Sequence, residues 1–164
     1  MPHLHDKIDF TAEVFIVHDR RVLLRKHDKY GLWLSVGGHI ELHEDPNEAA
    51  VREVREEVGL DVTLIGEDAV TGEGEVNSDT YRELVPPRFL NRHRISDTHE
   101  HLALTFFAHL APQQALTPAE EIKSPAGERS DGLSWFSEQE LNSLEITERV
   151  RRYAKAALRS VGGA

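Results

Sequence analysis

The chain has 164 residues, 39% hydrophobic and 29% charged, the size and balance of a single soluble globular domain over 1–164. Its net charge of −10 argues against broad binding to nucleic-acid backbones, which depends on Lys and Arg neutralising phosphates. The absence of cysteine excludes disulfides, thiolate zinc and a thiol nucleophile; with no apolar export core in MPHLHDKIDF and no membrane-length apolar window, the expected location is cytoplasmic.

Residues 1–9 read as a loose arm, with His3 and His5 among polar neighbours. Phe10 to Val17 predicts a strand, and Val22 to Arg25 its hairpin partner across His18-Asp19-Arg20-Arg21. The basic run from Arg25 to Lys29 is either a solvated turn or a patch that reaches a phosphate or base. Tyr30 to Gly38 then reads as a strand and turn, with Trp33 in the core and Gly37-Gly38 free to adopt backbone angles that other residues resist.

The stretch GHIELHEDPNEAAVREVREEVGL, Gly38 to Leu60, is the most informative in the chain. Asp45 can cap a helix, Pro46 suits its first position, Glu48 stands three residues after the cap, and Gly59 closes it. At a helical repeat, Glu53, Glu56 and Glu57 fall within an arc of roughly 100°, with Ala50, Val51, Val54 and Val58 on the other side. Two carboxylates about 4 Å apart repel by about 1 kcal/mol in water and about 4 kcal/mol at an effective dielectric of about 20, so three on one arc invite protonation or a cation. All-oxygen ligands suit magnesium or manganese. The competing reading is a solvated helix face, since Glu48/Arg52, Arg52/Glu56 and Glu53/Glu57 are also i,i+4 pairs.

The complete spacing decides between them. Gly38, five residues, Glu44, seven residues, Arg52-Glu53-Val54, one residue, Glu56-Glu57, one residue, Gly59-Leu60 resembles without exception the Nudix hydrolase signature G-x5-E-x7-R-E-U-x-E-E-x-G-U, where U is aliphatic. The resemblance implies an α+β fold, an α/β/α sandwich with a central mixed sheet flanked by helices. It implies a hydrolase that uses Mg2+ or Mn2+ to cleave a pyrophosphate link in a nucleoside diphosphate joined to another moiety. Carried onto this chain, Glu53, Glu56 and Glu57 are the metal-binding and base-forming carboxylates, and the carbonyl of Gly37 adds a ligand. Arg52 orients Glu53 and pairs with Glu44. Many members carry Gly before the first signature Glu where this chain has His43, which bears only on the loop conformation. Dimers are common among such proteins, so a homodimer is allowed.

Val62 to Ile65 predicts a further strand, and from Gly66 to Asp97 the pattern is broken by Gly72, Gly74, Asn77, Ser78 and Pro86-Pro87. Arg82, Arg88, Arg92, His93 and Arg94 in that segment belong to a solvated loop or to a rim that grips substrate phosphate. Leu102 to Leu110 predicts a central strand. His99 and His101, just before it, share a face, but no third nitrogen or sulfur ligand stands at matching spacing, which counts against zinc. Ala111 to Asp131 is a breaker-rich connection. Gly132 to Ser137 resembles the late strand of the Nudix fold, and Ser137 with Glu140 forms a capping-box pattern. In some family members a loop glutamate before that strand joins the metals or acts as base; Glu128 is the first choice here, with Glu120, Glu121 and Glu100 behind it. Ile146, Val150, Tyr153, Ala157 and Leu158 predict a terminal amphipathic helix, with Arg149, Arg151, Arg152 and Arg159 on its solvated side.

The segment that follows the signature lacks the tags of ADP-ribose and dinucleoside polyphosphate hydrolases, and the extended upstream signature of coenzyme A pyrophosphatases is missing as well. A nucleoside triphosphate or nucleotide sugar is therefore the default substrate. Dinucleoside polyphosphate or ADP-ribose hydrolysis is the alternative within the family, and a non-catalytic nucleotide-binding module the alternative outside catalysis.

Overall fold

The computed structural model of the chain describes residues 7–27, 31–66, 81–115 and 132–161. In chain order its elements are β1 (Ile8–His18), β2 (Arg21–Lys26), β3 (Trp33–Leu34), β4 (Val36–His39), α1 (Pro46–Val58), β5 (Val62–Ile65), β6 (Phe89–Arg94), β7 (Glu100–Leu110), β8 (Leu133–Phe136), α2 (Glu140–Ser143) and α3 (Glu148–Val161). The strands form one eight-stranded sheet. At its centre β1 and β7 run parallel, from Ile8↔Glu100 to Val17↔His109, and every other pairing is antiparallel. The sheet is therefore mixed, as expected.

Strand periodicity divides the core. Ala12, Val14 and Ile16 point to one face with Phe106 and Ala108, where they meet Ala49, Ala50, Val54 and Val58 of α1. Phe15, Val17 and Phe107 point to the other, where Val150, Tyr153, Ala154 and Ala157 of α3 cover them. Each fully buried Val or Phe on these faces is worth about 1.5–3 kcal/mol relative to exposure, so the two helices are held chiefly by apolar burial. On α1 the buried stripe includes Ala49, and Val51 is only half-buried.

The β1–β2 hairpin turns through Asp19 and Arg20, with φ of 49° and 59°, the positive angles that a two-residue turn demands from both central positions. β1 begins at Ile8, so the N-terminal arm joins the sheet earlier than the polar flanks suggest. The stretch from Trp33 to His39 is two short strands, β3 against β2 and β4 against β1. The larger difference lies in the segment read as patternless: Phe89–Arg94 is a strand, paired with β7 from Phe89↔Thr105 to Arg94↔Glu100. Its burial alternates along FLNRHR, but polar Asn91 and His93 stand at half-buried positions while Leu90 is exposed, which hides that alternation. Among the described residues no helix is long and apolar enough to cross a membrane.

The terminal helix also departs from expectation. Arg149 is not a solvated residue: its Nη1 lies 2.8 Å from both carboxylate oxygens of Glu13. Arg151 donates to the carbonyls of Leu141 and Leu144, so it ties α3 to the preceding turn. Arg152 lies over the rings of Phe89 and Tyr153, and Arg159 pairs with Glu138 at 3.3 Å. Ser137 and Glu140 do exchange hydrogen bonds, at 2.8 and 3.4 Å, around the turn that opens α2.

Candidate active site

The acidic face of α1 is positioned by its start. Asp45 accepts from the amides of Asn47 and Glu48, at 2.8 and 2.9 Å, and the Glu48 carboxylate in return accepts from the amide of Asp45 at 3.1 Å. This capping box satisfies amides that the first helical turn leaves open. The Glu48 carboxyl is held below its usual range, first by that Asp45 amide and then by Arg82. At the other end Gly59 takes the left-handed conformation, φ 68°, and donates to the carbonyl of Arg55 at 3.0 Å.

Arg52 is the hub. Its Nε and Nη2 grip Glu44 through both carboxylate oxygens, at 2.9 and 2.7 Å, and its Nη1 lies 2.8 Å from Glu53 and 2.9 Å from Glu56. Nη2 also donates to the carbonyl of His39 at 3.0 Å. One guanidinium thus joins the loop after β4, the loop glutamate and two helix carboxylates. The Glu44 side chain is only 7% exposed, and the Arg52 hydrogen bonds carry its pKa down to about 2 against the opposing effect of burial. Arg52 is shifted the other way, first by Glu44, so both partners stay charged.

Glu57 is turned to the other side of the loop. It accepts from the Gly37 amide at 3.0 Å and pairs with Arg25 at 2.7 Å. Sequence reasoning placed Arg25 in a solvated or phosphate-seeking run and missed this contact. The signal was present in strand alternation, because Leu23, two residues earlier in β2, faces α1.

The paired glycines have separate reasons. A Cβ on Gly37 would stand 2.0 Å from the Ala12 carbonyl oxygen, and its φ of 142° is one that L side chains rarely adopt. A Cβ on Gly38 would stand 2.5 Å from a carboxylate oxygen of Glu53. The missing side chain at Gly38 is what gives the Glu53 carboxylate its place.

The expected residues are therefore brought together: Glu44, Arg52, Glu53 and Glu56 in one charged network, and Gly37 with Glu57 beside it. In this arrangement the carboxylates are neutralised by two guanidinium groups. The donors are all oxygen, and Glu56, with 60% of its side chain exposed, can turn toward solvent. That donor set, with the cradle at Gly38, fits a hard divalent cation. A cleft of about 520 Å³ opens beside it, lined by Asn47, Val51 and Arg55 with Arg52, Glu56 and Arg82. Arg82 reaches Glu48 at 2.7 Å and Asp45 at 3.3 Å, so part of the basic segment after β5 does border this face. Glu128, Glu120 and Glu121 lie outside the described residues. Glu100 is engaged by Lys7 and Arg92, at 3.3 and 3.6 Å.

The chain is similar to known proteins of one family. A family model described as NUDIX domain matches residues 8–157. The chain is 34% identical over 113 residues, 66% of its length and 79% of the relative's, to a protein named CTP pyrophosphohydrolase from Escherichia coli (strain K12). It superposes on a NUDIX-family hydrolase from Clostridium perfringens with a TM-score of 0.78 at 31% identity, covering 96% of this chain and 99% of the other. A MutT NUDIX hydrolase from Burkholderia pseudomallei matches in fold, with a TM-score of 0.57 at 22% identity over 94% of this chain and 98% of the other.

Proposed function

The chain belongs to the NUDIX domain family of pyrophosphohydrolases, and on that premise we propose that it hydrolyses nucleoside triphosphates to a nucleoside monophosphate and pyrophosphate, with Mg2+ or Mn2+. The observation that carries the reading is the Arg52 hub: one buried-side arginine, locked by Glu44, presents Glu53 and Glu56 along the helix face. The relative named CTP pyrophosphohydrolase supports a triphosphate substrate.

Glu53, Glu56 and Glu57, with the carbonyl of Gly37, would hold the cation. When bound, such an ion lowers the pKa of water and neutralises charge on phosphate oxygens. Glu53 accepts the proton of the attacking water, whose oxygen bonds to phosphorus as the bridging oxygen leaves with the pyrophosphate. Arg52 fixes the direction of the Glu53 carboxylate, and the glycine at 38 leaves it room. Arg82 and Arg55, on the wall of the cleft, offer guanidinium forks to the polyphosphate. No step calls for a covalent enzyme intermediate.

The test is a panel of nucleoside triphosphates, nucleotide sugars, dinucleoside polyphosphates and ADP-ribose, with Mg2+ or Mn2+ and product identification. Monophosphate and pyrophosphate from a triphosphate are expected. Diphosphate and inorganic phosphate, or cleavage confined to the other substrate classes, would overturn the assignment.

A further inference from the structure

We propose that Asp9, His39, His99 and His101 form a second cation site, built for a d-block divalent ion of the zinc class and separate from the all-oxygen face of α1. The four residues come from three strands and a turn, yet one ligand atom from each lies within 4.8 Å of all the others. The shorter separations are 3.1 Å between Nε2 of His99 and Nε2 of His101, 3.4 Å from His99 to Asp9, and 3.5 Å from His39 to Asp9. A tetrahedral ion with bonds of about 2.0–2.2 Å places its ligands about 3.3–3.6 Å apart, so these donors already stand near the edges of such a tetrahedron.

Sheet register explains how they meet. Asp9 is the direct partner of His101 in the parallel β1–β7 pair, and His39 is the partner of Thr11 in the antiparallel β1–β4 pair. Partners across a ladder share a face, as do residues two apart along a strand, so Asp9, His39, His101 and His99 converge on one side of the sheet. It is the α3 side, shared with Phe15 and Phe107, while α1 packs on the other. The backbone at each ligand is fixed. The His99 carbonyl accepts from the amides of Ile95 and Ser96, at 2.9 and 3.0 Å, and Ile40, next to His39, donates to the carbonyl of Phe10 at 2.9 Å.

A purely electrostatic cluster does not account for the arrangement. The rings of His39 and His99 each lie 5.0 Å from that of His101, and a single carboxylate faces all three imidazoles. The close approach of two Nε2 atoms further requires one to be a lone-pair acceptor. A divalent ion uses one lone pair from each imidazole, and the Asp9 carboxylate offsets part of its charge. Three imidazoles and one carboxylate select zinc, nickel, cobalt or copper over magnesium, which takes oxygen and keeps its water. Asp9 and His39 are about half exposed, so the ion can enter from solution.

The site would be a staple. It joins the ends of β1, β4 and β7 where the chain leaves the sheet for the loop that precedes α1. His39 is also the residue whose carbonyl accepts from Arg52, so the staple is one hydrogen bond from the hub of the acidic face.

Cobalt is a suitable probe, because tetrahedral Co2+ absorbs strongly in the visible and six-coordinate oxygen-ligated Co2+ only weakly. The full chain, without a polyhistidine tag and stripped of metal, would be titrated with Co2+ and then Zn2+. One equivalent of tetrahedral Co2+ is expected, displaced by Zn2+, and retained in an E53Q/E56Q/E57Q variant. The band should be lost, and Zn2+ affinity should fall at least about a hundredfold, in an H99A/H101A variant and separately in D9N/H39N. Zn2+ should raise the Tm of the parent chain but of neither histidine-site variant, and circular dichroism would establish that both variants are folded. A band that is absent, that survives in the folded histidine-site variants, or that vanishes with the three glutamates would overturn the proposal.

Discussion

Replacing Arg52 with Ala removes a guanidinium that makes five hydrogen bonds, two of them to a carboxylate that is 7% exposed. Truncating one member of a buried charge pair costs about 3–5 kcal/mol. Arg52 is itself 27% exposed, so water reaches part of the gap and the lower end, about 3 kcal/mol, is the expected loss. For a chain of this size that corresponds to a fall in Tm of about 6–12 °C. Denaturant and thermal unfolding of metal-free protein would measure it. The pH dependence gives a second readout. Glu44 has a native pKa of about 2 against 4.5 in the unfolded chain, so its stabilisation is complete above pH 4.5 and is lost as pH falls toward 2. The difference between wild type and Arg52→Ala should therefore shrink over that window. Arg52→Lys keeps the charge but cannot grip Glu44 through both oxygens, and should recover less than half of the loss. A destabilisation under about 0.5 kcal/mol, the range of ordinary surface substitutions, or one that does not change with pH, would refute the hub.

Glu57→Gln should lower turnover by about a hundredfold or more, since even residues that only support a metal ligand cost 10–100-fold, while circular dichroism shows the fold retained. Gly37→Ala forces a Cβ to 2.0 Å from the Ala12 carbonyl at a φ of 142°, and should cost about 3 kcal/mol or more by denaturant unfolding. Asp45→Ala opens the capping box of α1 and should cost about 1 kcal/mol, read as a fall in Tm of about 2–4 °C.

The parts of the fold that follow from short-range rules were legible in the sequence. Asp45, Pro46, Glu48 and Gly59 bounded α1, and Val62 to Ile65 was read with its observed limits. β6 was not legible, because FLNRHR places polar Asn91 and His93 at half-buried positions and Leu90 at an exposed one, in an edge strand where packing rather than composition decides. Within the acidic network, helical periodicity grouped Glu53 and Glu56 on one face, and the resemblance to the Nudix signature added Glu44 and its pairing with Arg52. Arg25 and Arg149 could not be placed, since their partners Glu57 and Glu13 are set by the packing of separate elements. The same applies to His39 and Asp9. No spacing along the chain brings them to His99 and His101; only the register of three strands does.

The claim that the acidic side of α1 holds a divalent ion is tested most directly by counting free Mn2+ with electron paramagnetic resonance. The measurement would use the H99A/H101A background, so that imidazole ligands do not contribute. Uptake of Mn2+ that saturates at a fixed ratio, and that disappears in E53Q/E56Q/E57Q, is the expected result. Equal uptake with and without those three carboxylates would contradict it.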